Sequence, residues 1–254
     1  MMIETPLRLR RILDPRSGRA LLLSFTSGME IGIAGGLSDV RRMAVGLAAT
    51  SLPTGLIVHA GVVESLFERQ PNLPCGIVVD LFGGTWMTTQ PYQREQICSL
   101  EHAVRVGADA VLMTLGLGSP DEARQLRQCG EITRECAYWG LPLLLRVDTA
   151  ETDSRRQFSA TLCGHGARLG YEIGASAVIV HYPGDSKTFH EVIQGIDIPV
   201  IIGGAPNMAT DAAMLSSIGD GIRAGANGAA LNGAMFWSDG PMPLLDQVAK
   251  EVAG

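Results

Sequence analysis

Four side chains able to move a proton or hold a cation each close a short apolar run in this sequence. Asp80 ends Gly76-Ile77-Val78-Val79-Asp80, and Asp148 ends Leu143-Leu144-Leu145-Arg146-Val147-Asp148. His59 follows Leu56-Ile57-Val58, and His181 follows Ala177-Val178-Ile179-Val180. A carboxylate in such a place serves as a general base or a cation ligand, while an imidazole titrates near neutral pH or ligates through one nitrogen. Each also has a plainer reading. Asp80 and Asp148 could cap the loops that follow them or pair with Arg146, and the histidines could be satisfied by backbone at strand ends. Together the four would make a two-histidine, two-carboxylate cation site of the kind that stabilises an enediolate. Spacing over separate strands leaves that geometry open, and the expectation is of no metal and no cofactor.

Thr26, Ser27, Thr114, Arg146 and Asn232 stand at the ends of other apolar runs. Such a set is too polar for structure alone, because polar groups in strands buried on both sides need partners. Gly203-Gly204, after Val200-Ile201-Ile202, could offer backbone amides to a phosphate, or it could be a close-packed turn.

These residues need elements that bring them to one place. Short runs rich in Val, Ile and Leu alternate with segments of helical period, which is the pattern of a parallel sheet covered by helices. Eight strands are expected near 20–25, 56–59, 76–81, 109–114, 142–147, 176–181, 199–202 and 227–231. That count and the length of 254 residues predict an α/β fold, one (β/α)8 TIM barrel spanning residues 1–254 as a single domain. The alternative, an open doubly wound sheet, would want a glycine fingerprint that Gly28 to Gly36 does not spell. Ser119 as N-cap, Pro120 at N1, Glu122 as its capping-box partner and Gly140 as a stop predict a helix between the fourth and fifth strands. A weak repeat, Gly107-Ala108-Asp109, Gly174-Ala175-Ser176 and Gly225-Ala226-Asn227, ends a helix and opens a strand each time. In a barrel the strand C-termini share one mouth, so the loops from Gly83 to Gln93 and from Thr149 to Gln157 are either lids or plain surface excursions.

Composition narrows the function classes. Hydrophobic residues at 46% against 18% charged, with mean hydropathy +0.19, supply a large core. A net charge of −6 argues against nucleic acid and against an anionic membrane surface, leaving a small-molecule substrate as the expected partner. Five cysteines without close pairing read as reduced thiols of a cytoplasmic protein. The basic start at Arg8, Arg10 and Arg11 is followed by an apolar run, Ala20 to Phe25, too short for a secretion signal. The apolar groups Trp86-Met87 and Met235-Phe236-Trp237 suit core packing or subunit contact, and a homo-oligomer is expected.

The stretch Leu7-Arg8-Leu9-Arg10-Arg11-Ile12-Leu13-Asp14-Pro15-Arg16-Ser17-Gly18-Arg19, His59-Ala60-Gly61, Tyr182-Pro183-Gly184-Asp185, Pro199 to Pro206 and Gly225 to Phe236 carry a resemblance over nearly the whole chain. The chain resembles the archaeal-type class I fructose-bisphosphate aldolases and the DeoC/LsrF-like aldolases. The resemblance implies an aldolase-type barrel, and it places Ile179 where the family carries its Schiff-base lysine. It likewise puts Thr26 at the first-strand aspartate, Ala60 at a second lysine, Asp148 at the aromatic acid/base and Gly233 at the phosphate arginine. Only two lysines exist, Lys187 and Lys250. Lys187 reads as a solvated helix residue or, failing that, a displaced amine.

Three functions stay open. The first is a carbon–carbon lyase acting on a small oxygenated carbonyl compound, phosphorylated or not, by acid/base chemistry without a Schiff base. There Asp148, His181, Asp80 and His59 would be catalytic, and Gly203, Gly204, Asn232, Gly233, Thr26 and Arg146 would bind substrate or phosphate. The second is a catalytically silent relative that binds a metabolite or a partner. The third is an isomerase using the same proton chemistry.

Overall fold

Runs apolar on both faces are strands covered on both sides, and all eight close into one parallel barrel in the computed structural model. It describes residues 4–32, 38–68, 72–85, 87, 93–150, 154–206, 208, 210–232 and 241–254. In chain order the strands are β1 (Ala20–Ser24), β2 (Gly55–Val58), β3 (Gly76–Asp80), β4 (Phe82–Gly83), β5 (Glu95–Gln96), β6 (Ala110–Leu117), β7 (Leu143–Thr149), β8 (Ala177–His181), β9 (Val200–Gly204) and β10 (Gly228–Leu231). The barrel order is β1-β10-β9-β8-β7-β6-β3-β2, and β4 and β5 form a separate antiparallel ribbon after β3. The expected TIM barrel is the fold; the ribbon is an addition that the sequence does not predict, because two-residue strands carry no periodicity. β6 and β7 also run longer than expected, pairing from Val111↔Leu143 to Leu117↔Thr149.

Side chains alternate inward and outward along each strand. One set, including Leu22, Ile57, Val78, Leu112, Leu144 and Ile201, fills the interior. The set between them, including Leu23, Val58, Val79, Val111, Leu145 and Ile202, packs under the helices. Ile12 joins the interior set with Leu9 and Leu13 against it, so the turn after the first helix, Glu4–Leu9, seals the floor.

The repeat has a physical cause. Gly107, Gly174 and Gly225 take φ of 90°, 88° and 115°, a left-handed turn that lets each chain leave a helix. The polar residue two positions on then accepts a backbone N–H from the start of a neighbouring strand. Asp109 takes that of Ile77 at 2.9 Å, Ser176 that of Leu143 at 3.3 Å and Asn227 that of Val200 at 3.0 Å.

The helix between β6 and β7 runs Glu122–Trp139 and stops at Gly140 with φ 60°, as expected. Its start differs. Asp121 occupies the N-cap, the Ser119 hydroxyl is buried without a partner among the described residues, and the Glu122 carboxylate accepts from the Gly118 N–H at 2.5 Å. A turn in which the Ser119 carbonyl takes the Glu122 N–H displaces the helix start by two residues, which removes Ser119 from capping reach.

All five cysteines are free and buried, and burial pushes the thiols of Cys75, Cys129, Cys136 and Cys163 up to about 12. Among the described residues no helix is long and apolar enough to cross a membrane. Met87 is fully in solvent, whereas Trp86 and Met235-Phe236-Trp237 lie outside the described residues, as do parts of both expected lids.

Asn227→Ala leaves the Val200 N–H without its acceptor and is expected to cost roughly 1–3 kcal/mol. Asn227→Asp, which keeps an acceptor as Asp109 does at the equivalent turn, should retain most of that stability. Urea unfolding of the two variants checks the difference.

Candidate active site at the barrel mouth

The inward set continues past the last apolar layer by one step of two residues, and there it turns polar. Leu22 is followed by Ser24, Ile57 by His59, Val78 by Asp80, Leu112 by Thr114, Leu144 by Arg146 and then Asp148, Ile179 by His181, Ile201 by Gly203, and Ala230 by Asn232. One alternation rule therefore delivers almost every expected site residue to the same end of the barrel.

Around that mouth the residues fall into pairs. His181 Nε2 lies 3.6 Å from Asp148 Oδ1 across the β7–β8 seam, and the Phe158 ring packs on the imidazole with centroids 4.9 Å apart. Burial pushes the His181 pKa below its usual 6.5, Asp148 pulls it up and Arg146 pushes it down, so the ring is neutral at neutral pH. Its Nδ1 is buried outside hydrogen-bonding geometry, although the Gln157 backbone lies close enough to favour the charged ring.

His59 and Asp80 form the second pair. His59 Nδ1 is 3.4 Å from the Asp80 carbonyl oxygen, a distance at which the Nδ1–H tautomer donates weakly. The Asp80 carboxyl is 1% exposed and accepts the Phe82 N–H at 3.1 Å. Burial raises its pKa, while the charges of His59, Arg94 and Arg146 and the Phe82 N–H oppose that rise.

Arg146 projects inward between Thr114 and Ile179, its partners in strand register. Its Nε and Nη2 are buried with no hydrogen-bond partner among the described residues. These two nitrogens share one edge of the guanidinium, the edge that presents two parallel N–H groups to a carboxylate, phosphate or enolate oxygen. Neither Asp80 nor Asp148 forms an ion pair with it among the described residues, so the plainer reading of those aspartates as its partners is not what the structure has.

Arg94 is a functional candidate that the sequence did not announce. The ribbon β4–β5 carries it over the mouth, where Glu30 on the helix Ser27–Ile31 pairs with it closely. Burial works against its charge, but Glu30, Asp80 and Asp148 more than offset this and raise its pKa. Arg124 holds the ribbon from behind, bonding Glu95 at 3.1 Å and reaching the Arg94 carbonyl at 3.5 Å. No motif marks Arg94; its only signal was its place at the end of a long loop after a barrel strand.

Gly203 and Gly204 end β9, and Gly203 makes room for β8. A Cβ on Gly203 would come 2.6 Å from Ile179 Cγ2, whereas one on Gly204 would stand at ordinary contact, 3.4 Å from His181 Cδ2. With His181 and Asn232 they line a cavity of about 230 Å³. A second cavity of about 650 Å³ opens beside His59. Thr26 is buried, with its hydroxyl 3.1 Å from that of Ser24, and Gly233 lies outside the described residues. The four expected catalytic residues thus meet as two pairs. Among the described residues no three His, Cys, Asp or Glu side chains gather closely enough to hold a metal ion.

Known proteins share this architecture. A family model described as DeoC/LacD family aldolase matches residues 27–237. The 2-amino-3,7-dideoxy-D-threo-hept-6-ulosonate synthase 1 of Archaeoglobus fulgidus is 31% identical over 201 residues, covering 78% of this chain and 74% of its own. The class 1 fructose-bisphosphate aldolase of Thermoproteus tenax is 26% identical over 227 residues, covering 87% and 84%. A solved archaeal fructose-1,6-bisphosphate aldolase, with its catalytic Lys covalently bound to the carbinolamine intermediate of its substrate, superposes with TM-score 0.87. It is 24% identical, covers 98% of this chain and 100% of its own, and shares the fold.

Opposed charges around His181 make a directional test. Asp148→Asn removes the charge that favours imidazolium and is expected to move the His181 titration midpoint further down, whereas Arg146→Gln should move it up. NMR titration of the imidazole reads both, and shifts of the same sign in the two variants would contradict the assignment.

Proposed function

The chain belongs to the DeoC/LacD aldolase family, and on that footing we propose that it is a carbon–carbon lyase acting on a small oxygenated carbonyl compound without a lysine Schiff base. The observation that carries this reading is the Asp148–His181 pair standing one inward step above Ile179. Ile179 is wholly buried, and it occupies the position that the resemblance gives to the family's lysine. Neither lysine of the chain is a ready substitute. Lys187 is exposed on the helix Ser186–Ile193, and Lys250 pairs with Asp246 on the last helix.

Cleavage of a β-hydroxy carbonyl compound needs a base, an electron sink and an acid. Neutral His181 takes the proton from the β-hydroxyl, and Asp148 stabilises the imidazolium that forms. The bond between the α and β carbons breaks, the β carbon leaves as an aldehyde, and the electron pair passes into the carbonyl to give an enolate. The open edge of Arg146 meets the developing oxyanion, with Arg94 adding positive potential from the ribbon. A proton returned to the α carbon completes the reaction, and the raised pKa of Asp80 suits it to hold that proton with His59 beside it. Thr26, Asn232 and the amides of Gly203 and Gly204 would hold hydroxyls or a phosphate of the substrate.

Turnover of candidate aldol compounds, assayed with and without borohydride, tests this proposal. The wild type is expected to cleave substrate without forming a reducible adduct, and Asp148→Asn or His181→Ala to lower kcat by about 10²–10⁴. A substrate-dependent adduct on Lys187 would overturn the mechanism. Unchanged turnover in Asp80→Ala and Asp148→Ala would remove catalysis from these residues, and a rearranged rather than cleaved product would make the enzyme an isomerase. Ile179→Lys places an amine beside Arg146 in strand register, where the guanidinium favours its neutral, nucleophilic form. That variant is expected to gain a borohydride-trapped adduct, seen as a mass increase at residue 179.

A further inference from the structure

The two cavities at the mouth differ in chemistry as well as size. The smaller, at β8–β10, sets His181, Asn232 and the backbone of Gly203 and Gly204 against an apolar wall that includes Phe158 and Met214. The larger, about 650 Å³, lies between the helices Ser27–Ile31 and Ala60–Phe67 and the chain after β5, with Phe25, Met29, Val40, Val62, Ile97 and Cys98 in its wall. Its volume falls within the range of about 300–1,000 Å³ that small-molecule sites occupy. Among the described residues its polar side chains are His59 and His102, and, as in the smaller cavity, no arginine or lysine lines it. An anionic group placed there would lose its water without gaining a counter-charge.

Glycines hold this space open. Gly28 and Gly61 sit in the two helices that wall the cavity, and a Cβ at either position would meet nothing within 4 Å. A helical glycine is less stable than alanine, and neither of these has the close neighbour that would require it. Among the described residues the space is therefore unfilled rather than packed. His59 joins it to the reaction centre, lining the cavity while its Nδ1 lies 3.4 Å from the Asp80 carbonyl.

We propose that this cavity takes an apolar substituent, alkyl or aryl, on the half of the substrate that leaves as the enolate. The α carbon of that half sits at His59 and Asp80, and the half that leaves as the aldehyde, its hydroxyl at His181, faces Gly203, Gly204 and Asn232. The assignment rests on the lyase reading for its chemistry but on the cavity alone for its ligand class. It makes the substrate amphipathic, with its oxygenated groups on the β8–β10 side.

The probe 3-phenylpropan-1-ol has the apolar arm but no carbonyl, so its binding does not depend on turnover. Calorimetry is expected to show saturable one-site binding by the wild type, weakened at least about tenfold by Gly61→Leu, which fills the cavity from a helix that tolerates leucine. Gly28→Leu fills it from the opposite wall and should act alike, and thermal melting confirms that each variant is folded. Absence of saturable binding by the wild type, or equal affinity in the wild type and both folded variants, overturns the assignment. If the alcohol binds as expected and no aldol compound is cleaved, the lyase reading falls and the apolar site stands. If cleavage is found and Gly61→Leu leaves kcat/KM for an aryl-bearing aldol unchanged, the apolar site falls and the lyase reading stands.

Discussion

Closure of eight parallel strands leaves an interior only wide enough for side chains, and everything at the mouth depends on how that interior is filled. Each strand must send every second residue inward. Leu22, Ile57, Val78, Leu112, Leu144 and Ile201 take those places, with Ile12 below them. The next inward residue on each strand has no apolar layer above it, so it can be polar. The site is thus a product of the core, its positions set by the same parity that packs the barrel. A one-residue slip in any strand would turn both its core residue and its mouth residue toward the helices.

Electrostatics at the mouth are arranged across strands. Burial alone would push Asp80 toward neutrality and His181 away from charge, and both tendencies are moderated by neighbours on other elements: Arg94 and Arg146 for the first, Asp148 for the second. Arg146 keeps its Nε and Nη2 buried and unpartnered among the described residues, a condition that is costly in a resting protein and useful when an anion arrives. The ribbon that brings Arg94 is itself tied down by Arg124, so a residue on the helix Glu122–Trp139 helps set the potential over Asp80.

Much of this was readable from the chain. The eight runs named the strands to within a few residues, the glycine turns named their starts, and the run ends named seven of the residues now at the mouth: His59, Asp80, Thr114, Arg146, Asp148, His181 and Asn232. What escaped has a common cause. Arg94 stands just before a two-residue strand, the N-cap lies at Asp121 rather than Ser119 because a backbone turn occupies residues 119–122, and β6 continues through Gly116, whose N–H donates to Gln125. Each depends on a partner distant in sequence or on a competition between local hydrogen bonds, neither of which leaves a period. Gly203 and Gly204 suggested a phosphate turn, yet the measurable role of Gly203 is to admit the side chain of Ile179.

By itself the sequence determined the fold class, the family likeness and the parity of the inward residues, because alternation along a strand is a property of the backbone and needs no partner. It also determined that Ile179 can form no carbinolamine. Only the tertiary structure decided which mouth residues meet. Asp148 lies against His181 and His59 against Asp80, Arg94 arrives from outside the barrel, and an apolar cavity opens beside His59. Those neighbours follow from strand register and from how loops cross the mouth, which are set by contacts between segments far apart in the chain and are therefore absent from any local pattern.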